Sequence, residues 1–555
     1  MNLFAQALSV ENISENIKNA LHVHLKGGNK AIVQNIYAQT SYNPVWLGQG
    51  SEAKMSSLIQ ALKDPLFNYK NKAFDQKSIA RLFYKLDNGD ISNHNKAAVY
   101  ARLDLMLSNS FVRLVRFLVQ GDVDWGLVQK KLASLKQNNS INAKWEMSYK
   151  PFPPLKPFLS AAINGNIYPY LNSLIPMEKR YRKLVKLLKS YRMMQKFPKL
   201  KYYEKSLKLG DRSSRVEMLK KRLRISGDYP KSAPINSKFD ARLKQAVIRY
   251  QKRYLLKVNG IVDKTTTYYL NQPATQNIQA IITNLDKTKL YPKRFENEYV
   301  EVNIPDFNLR YYRNGVKTMK MGLVVGRLDR PTPLFHDAIR YMVLNPTWTI
   351  PDSLIKKDLI PVLRDNPAYL EENNIHVFSG SKRIQVTQAM LDPYVTSKKR
   401  VPYRFVQYPG ETNALGRVKF MFPNKYAVYL HDTDNKTLFS RRYKVYSSGC
   451  MRVKRPFDLM NVLLDHSKGS YSQSKLDAIL QSNKPTTIKL RKAIPVHILY
   501  FTVYEEDGLA YFKNDIYLYD QIIEESVEGR KKSTFSVPKK RMITVKKQGN
   551  KPLSN

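Results

Sequence analysis

Two periodicities divide the chain. From Glu11 to about Leu200 apolar residues recur at every third or fourth position, as in Ile79, Leu82, Phe83 and Leu86, or Leu103, Met106, Leu107, Phe111 and Leu114. That spacing lines one face of a helix. Turns at Gly121-Asp122 and Asn164-Gly165 interrupt it. Residues 206–272 form a smaller helical unit, patterned at Val216, Leu219 and Leu223 and again at Leu243, Ala246, Val247 and Tyr250. A connector over 273–297 is helical from Ile278, Ile281, Ile282 and Leu285. Beyond it the period falls to two: residues 300–326 alternate around the hairpin signal Asn314-Gly315, and Arg340–Asn345 reads as another strand. This β-rich region, 298–525, is broken at 351–416 by an insertion that reads as helix followed by polar loop. After Pro423-Asn424, residues Tyr426–Leu430 read as a strand whose alternation puts Tyr429 and His431 on one face at its end. The predicted fold class is multidomain α+β, helical first and β-rich last.

Composition adds bounds. A chain of 555 residues holds more than one domain, and 43% apolar residues exclude wholesale disorder. No apolar run approaches the roughly eighteen residues of a membrane span. Lys and Arg outnumber Asp and Glu by 93 to 45, a formal charge of +48 that draws the protein to polyanions. The positive residues are spread along the whole length, and no Gly-rich phosphate loop, zinc spacing or RNA-recognition aromatic signature accompanies them. Nucleic acid is therefore not the expected partner; tight, steeply salt-dependent DNA binding would reverse that reading. Ala5-Gln6-Ala7 is an A-x-A pattern, so residues 1–7 are either the remnant of an export signal or an ordinary frayed terminus. Residues 526–555 form a basic tail, with nine Lys or Arg and no acid from Gly529 onward. It is read as solvated and disordered, or as a salt-sensitive hold on an anionic surface.

Candidate chemistry centres on Cys450, the one cysteine. It can be neither half of an internal disulfide nor part of a cysteine zinc cluster, which leaves an inert core residue or a nucleophile. His431, nineteen positions earlier, ends the predicted strand beside the chain-breaking Asp432-Thr433-Asp434-Asn435. Ser447, Ser448 and Gly449 make a tight turn before the thiol, with backbone amides free to face a developing oxyanion. A thiol with a pKa of about 8.5 needs such an imidazole for activation near neutrality. The other histidines, His22, His24, His94, His336, His376, His466 and His497, show no metal spacing and are read as structural.

The string HDT…SRRYKVYSSGCMRV resembles the signature of the YkuD-type L,D-transpeptidases, cysteine enzymes that crosslink peptidoglycan. VNIPDFNLRYY, VVGRLDRPTP, NPTWTIP, ALGRVKFMFPN and IPVHILYFTVYEEDGLAYFKNDIY resemble the strands of their catalytic domain, in order. Trp46 in YNPVWLGQG, the helix ARLDLMLSNSFVRLVRFLVQGDVD, and LIPMEKRYRKLVKLLKSYRMM resemble the helical scaffold of the large Gram-negative members, assigned to 8–205. Gly210, Val216, Leu219, Leu223, Phe239, Tyr250-Gln251, Gly260 and Leu270 resemble a three-helix peptidoglycan-binding module, departing from it at Tyr250 and Leu255; a purely structural spacer is the alternative.

The resemblance implies that Cys450 is the nucleophile and His431 its general base and acid. Amides at Gly449 and Cys450 serve the oxyanion, Ser448 shapes the turn with Ser447 and helps fix the imidazole, and Arg452 holds a stem carboxylate. Tyr429 either hydrogen-bonds substrate or packs. The insertion at 351–416 caps the substrate or merely stabilises the fold. The implied reaction is a 3-3 crosslink through a thioester, releasing D-Ala from a tetrapeptide donor, with no metal or other cofactor, in the periplasm, and open to carbapenems. The partners implied are donor and acceptor stems, with an outer-membrane protein as alternative acceptor. A wall-binding protein that does not crosslink is the non-enzymatic alternative.

Overall fold

A computed structural model describes residues 10–23, 28–47, 50–88, 93–139, 141–202, 205–254, 256–465 and 471–527. The expectations for residues 1–7, for Leu255 and for the tail from 528 onward lie outside them. The chain divides into two compact units, one of Met1–Asp124, Ser148–Phe295 and Thr502–Lys513, the other of Trp125–Met147, Glu296–Phe501 and Asn514–Asn555. These limits differ from the sequence boundaries: a hairpin late in the chain belongs to the first unit and a helix from the early part to the second.

The first unit is helical apart from that hairpin, Val503–Glu506 with Leu509–Phe512. Its long helix Asn93–Val119 supplies Leu103, Leu107, Phe111, Leu114 and Leu118 to the core, the three-and-four spacing read from sequence. Asp104 on the same helix is fully buried and accepts from Val45 N (2.9 Å), Trp46 N (2.8 Å) and Tyr37 Oη (2.5 Å). A buried carboxylate is tolerated because several donors surround it. That is why the irregular segment holding Trp46 is fixed.

In the same unit, helices Ser214–Ile225, Ala241–Arg253 and Lys264–Leu270 enclose a separate core of Val216, Leu219, Leu223, Phe239, Leu243, Val247 and Tyr250. Asp240 caps the second helix through Leu243 N at 2.8 Å, and Asp263 caps the third through Thr266 N at 2.7 Å. Arg253 and Asp228 form an ion pair of 2.5 Å with side chains 5% and 0% exposed. Removing one partner of such a pair strands the other charge. Arg253→Met is expected to cost about 3 kcal/mol of stability, read by chemical denaturation followed by circular dichroism; an unchanged midpoint would contradict the assignment.

The second unit is built on strands β1 (Glu298–Asn303), β2 (Asn308–Arg313), β3 (Val316–Gly326), β4 (His336–Leu344), β5 (Trp348–Thr349), β6 (Ile375–Ser379), β7 (Lys382–Ile384), β8 (Arg404–Gln407), β9 (Val418–Met421), β10 (Leu430–His431), β11 (Val445–Ser447), β12 (Met451–Val453) and β13 (Thr486–Leu499). Among the described residues nine of them form one sheet in the order β11-β3-β12-β10-β9-β4-β13-β1-β2, and β2 pairs again with β3. The ladder so returns on itself, which leaves few free edges. The predicted hairpin turns at Asn314-Gly315, both at positive φ. Residues Lys144–Glu146 join this unit through backbone bonds to Leu334, and Trp145 stacks on Tyr519 at 5.6 Å.

Two expectations need correction. The insertion is not helix and then loop: after helical turns from Asp352 to Glu372, strands β6, β7 and β8 join β5 in a second sheet of order β5-β8-β6-β7, packed on a core of Leu354, Leu359, Leu363, Val377 and Phe405. These strands are short and largely polar on one face, so their period escaped notice. Nor is Tyr426–Tyr429 strand. The Asn424 carboxamide accepts from Tyr426 N (3.0 Å) and donates to Val428 O (2.8 Å), and Ala427 lies at φ 53°, so only Leu430 and His431 remain extended and paired.

Candidate active site

Strand register assembles the site. β10 pairs in parallel with β12, setting His431 against Arg452, and pairs antiparallel with β9, setting His431 against Lys419. Partners across a ladder share a face. Met451 N donates to Tyr429 O at 3.1 Å, so Cys450, one residue before β12, lies level with Tyr429. The sheet thus gathers Cys450, Tyr429, His431, Arg452 and Lys419.

His431 is buried, and its Nδ1 lies 2.5 Å from the Asp432 carbonyl oxygen. A carbonyl only accepts, so the proton of the neutral ring sits on Nδ1 and the Nε2 lone pair is free to act as a base. Burial, then the Arg452 charge, pulls the imidazole down to about 3. Asp432 is itself pinned: its carboxylate accepts from Arg417 N at 2.9 Å and from Lys436, and its N–H donates to Val418 O at 2.9 Å. Gly416 is required beside it, since a Cβ there would stand 2.4 Å from the Asp432 carboxylate.

Cys450 is half-buried, with Sγ 4.0 Å from Ala427 O. Desolvation pushes the thiol up to about 11, opposed by hydrogen bonds from the Tyr429 N–H and phenol and by the charges of Arg452 and Lys419. The thiol and imidazole at rest are therefore both neutral near pH 7. Gly449, at φ 121°, turns the chain into the cysteine, and its carbonyl accepts from Thr332 Oγ1 at 2.9 Å. Ser447 shapes the turn, donating to Cys450 O at 2.5 Å and accepting from Gly449 N at 3.3 Å. The Gly449 amide is thus engaged, whereas the Cys450 N–H has no acceptor among the described residues.

The remaining expected residues fall differently from the sequence reading. Ser448 accepts from Arg330 Nη1 at 3.0 Å, and the same nitrogen binds Asp358 of the insertion at 2.5 Å. The hydrogen bond that fixes the imidazole comes from the Asp432 carbonyl, not from either serine. Tyr429 packs on the core of the insertion, with its ring 5.6 Å from that of His431, and burial, then the nearby thiol, pushes its phenol up.

Arg452 is 0% exposed, inside the sheet between β3 and β10, with Nη1 3.5 Å from Thr433 Oγ1. It is not a surface arm for a stem carboxylate; its charge acts on Cys450 and His431 from within, and burial lowers it to about 10. Sequence reasoning missed Lys419, since no local motif marks a strand neighbour. The alternation Val418-Lys419-Phe420, with a lone polar residue between buried ones, was the available signal.

His497 binds Glu296 at 2.7 Å and His376 lies over Tyr408 at 4.7 Å. His336 is 6.3 Å from the His497 ring; the side chains of His22, His24, His94 and His466 lie outside the described set. Among the described residues no group of three His, Cys, Asp or Glu is placed to hold a metal, and no helix is long and apolar enough to cross a membrane.

Comparison with known proteins agrees with this architecture. Residues 297–471 match the family described as "L,D-transpeptidase catalytic domain", residues 31–188 a "Scaffold domain", and residues 212–270 a "Putative peptidoglycan binding domain". A protein of Haemophilus influenzae named "Putative L,D-transpeptidase" is 34% identical over 245 residues, 44% of this chain and 49% of that protein. The chain thus spans about half the length of this curated relative. The solved L,D-transpeptidase structures from Xylanimonas cellulosilytica (13% identity, 54% of this chain and 100% of that one, TM-score 0.18) and Stackebrandtia nassauensis (11%, 54% and 97%, TM-score 0.20) are too remote to carry an argument. The chain thus carries a segment that matches the L,D-transpeptidase catalytic domain, together with segments that match a scaffold domain and a peptidoglycan-binding domain.

The high thiol and low imidazole values fix a pH signature. A neutral pair makes thiolate rise with pH, so iodoacetamide alkylation of Cys450 is expected to accelerate from pH 7 through at least pH 9, tending to level only near 11. A plateau already reached at pH 7 would mean a preformed thiolate–imidazolium pair and would contradict the geometry.

Proposed function

We propose that the protein is a cell-wall transpeptidase that uses Cys450 to form 3-3 peptidoglycan crosslinks, working outside the cytoplasm, in the periplasm. The observation that carries the reading is an imidazole whose base nitrogen is left free by the Asp432 carbonyl and which the strand register sets on the same face of the sheet as the chain's one thiol, in a domain matched to that family.

In this reading the Cys450 sulfur attacks the carbonyl between the L-centre of meso-diaminopimelate and the terminal D-Ala of a tetrapeptide stem. The thiol proton passes to His431 Nε2 as the S–C bond forms, since neither group is charged beforehand. The Cys450 N–H, left without an internal acceptor, donates to the oxyanion, a role worth about 3 kcal/mol per donor. Collapse breaks the C–N bond, His431 returns the proton to the leaving amine, and D-Ala departs, leaving a thioester. The side-chain amine of a second stem then attacks the thioester, and the sulfur leaves to be reprotonated. Arg452 favours each anionic stage electrostatically. The insertion, tied through Asp358 and Arg330 to Ser448, caps the site, and the three-helix module holds the enzyme on its polymer. Carbapenems, which acylate such thiols, would inhibit it. An outer-membrane protein amine is the second acceptor to consider.

The test is chromatography of products from purified disaccharide-tetrapeptide. Wild type is expected to yield a dimer lacking one D-Ala together with free D-Ala, Cys450→Ala neither, and His431→Ala a rate lower by about 10²–10⁴-fold. Binding to sacculi without dimer or D-Ala in wild type would leave only the wall-binding reading.

A further inference from the structure

Lys419 is a residue that the mechanism above does not use. It lies on β9 directly opposite His431, half-buried, with its Nζ 5.8 Å from the centre of the Tyr429 ring. Among the described residues it forms no ion pair, although its neighbours in sequence, Arg417 and Phe420, are fully engaged in hydrogen bonds and in the core. A lysine partly withdrawn from water without a carboxylate partner is costly, and an anionic ligand at the ammonium would offset that cost. Two further facts set the sign of that ligand. Lys419 and Cys450 influence each other electrostatically. Of the other groups on this face the imidazole is neutral and Tyr429 is a phenol, while the Arg452 guanidinium is balanced by the Asp434 carboxylate, which is not among the groups that act on Lys419.

We propose that Lys419 forms a carboxylate-binding subsite beside the Cys450 thiol, which takes a carboxylate of the donor stem and aligns the neighbouring carbonyl with the sulfur. Naming the stem as source rests on the function proposed above; the existence of an anion subsite next to the thiol does not. A stem offers two carboxylates near the scissile bond, the C-terminal one of D-Ala and the free one of meso-diaminopimelate. Either would replace water at the ammonium with a charge-assisted hydrogen bond. Lys419 is thus a specificity residue, acting on which acyl donors reach the thiol.

The chain's single cysteine allows a test that is independent of transpeptidation. Iodoacetate and iodoacetamide alkylate by the same step, in which the sulfur displaces iodide and an S–C bond replaces the C–I bond, but only the first carries a carboxylate. The ratio of their rate constants at Cys450 is expected to fall about tenfold in Lys419→Met at low salt, to be kept in Lys419→Arg, and to shrink in wild type as salt is raised. Thermal unfolding of each variant controls for folding, and Lys419→Gln replaces the Met variant if that one fails to fold. A ratio unchanged in the neutral variant overturns the subsite. So does an equal slowing with both reagents, because the lysine then acts only by stabilising thiolate. If the ratio falls but no acyl-enzyme forms from any stem, the subsite stands and the transpeptidase reading fails. With active enzyme, donors amidated at one carboxylate or the other identify the group bound: dependence on Lys419 is lost for one of them, and dependence retained for both would overturn the assignment to the stem.

Discussion

The hydrogen bond from His431 Nδ1 to the Asp432 carbonyl is the contact on which the proposed chemistry rests. A buried imidazole has two tautomers, and only one leaves Nε2 as a base. Because the acceptor is a backbone carbonyl, the choice is built into the chain rather than entrusted to a titrating side chain. The carbonyl is in turn held by everything that fixes Asp432: the amide of Arg417, the Lys436 ammonium, the Val418 carbonyl and the space left by Gly416. These contacts, supplied by two adjoining strands, fix the orientation that the proposed role of His431 as a base requires.

Around that bond the electrostatics lean one way. Burial strips the thiol and imidazole of charge, while Arg452 within the sheet stays cationic near neutrality and Lys419 lies across from the imidazole on the neighbouring strand. Such a site is poorly suited to hold a resting ion pair and well suited to receive negative charge, whether a passing oxyanion or a substrate carboxylate. Two side chains connect the insertion with this region: Tyr429 packs on its core, and Arg330 binds both Asp358 of the insertion and Ser448 in the turn before the thiol.

What could be read from sequence follows from how local each feature is. The helical scaffold and the three-helix module announced themselves because amphipathic helices repeat over many residues, and Leu103 through Leu118 carry that repeat into the core. Cys450, His431 and Gly449 were legible as a motif, being short-range in the chain. Features made by pairing distant segments were not. Arg452, read from sequence as the holder of a stem carboxylate, is found buried only once β12 is seen to lie between β3 and β10, and Lys419 joins this face only through the β9–β10 register. The small sheet of the insertion escaped because β7 and β8 are three and four residues long, too short for alternation to stand out. The end of the strand before His431 was missed because Asn424 diverts the backbone through hydrogen bonds of its own side chain.

The most direct test of the central claim, that Cys450 is an acylating nucleophile served by His431, is intact-protein mass spectrometry after exposure to a carbapenem. One equivalent of adduct on the wild-type protein, slowed in His431→Ala and absent from Cys450→Ala, is the predicted result. No adduct on wild type, or an equal adduct on the Cys450→Ala protein, would contradict it and return the thiol to the role of an ordinary half-buried side chain.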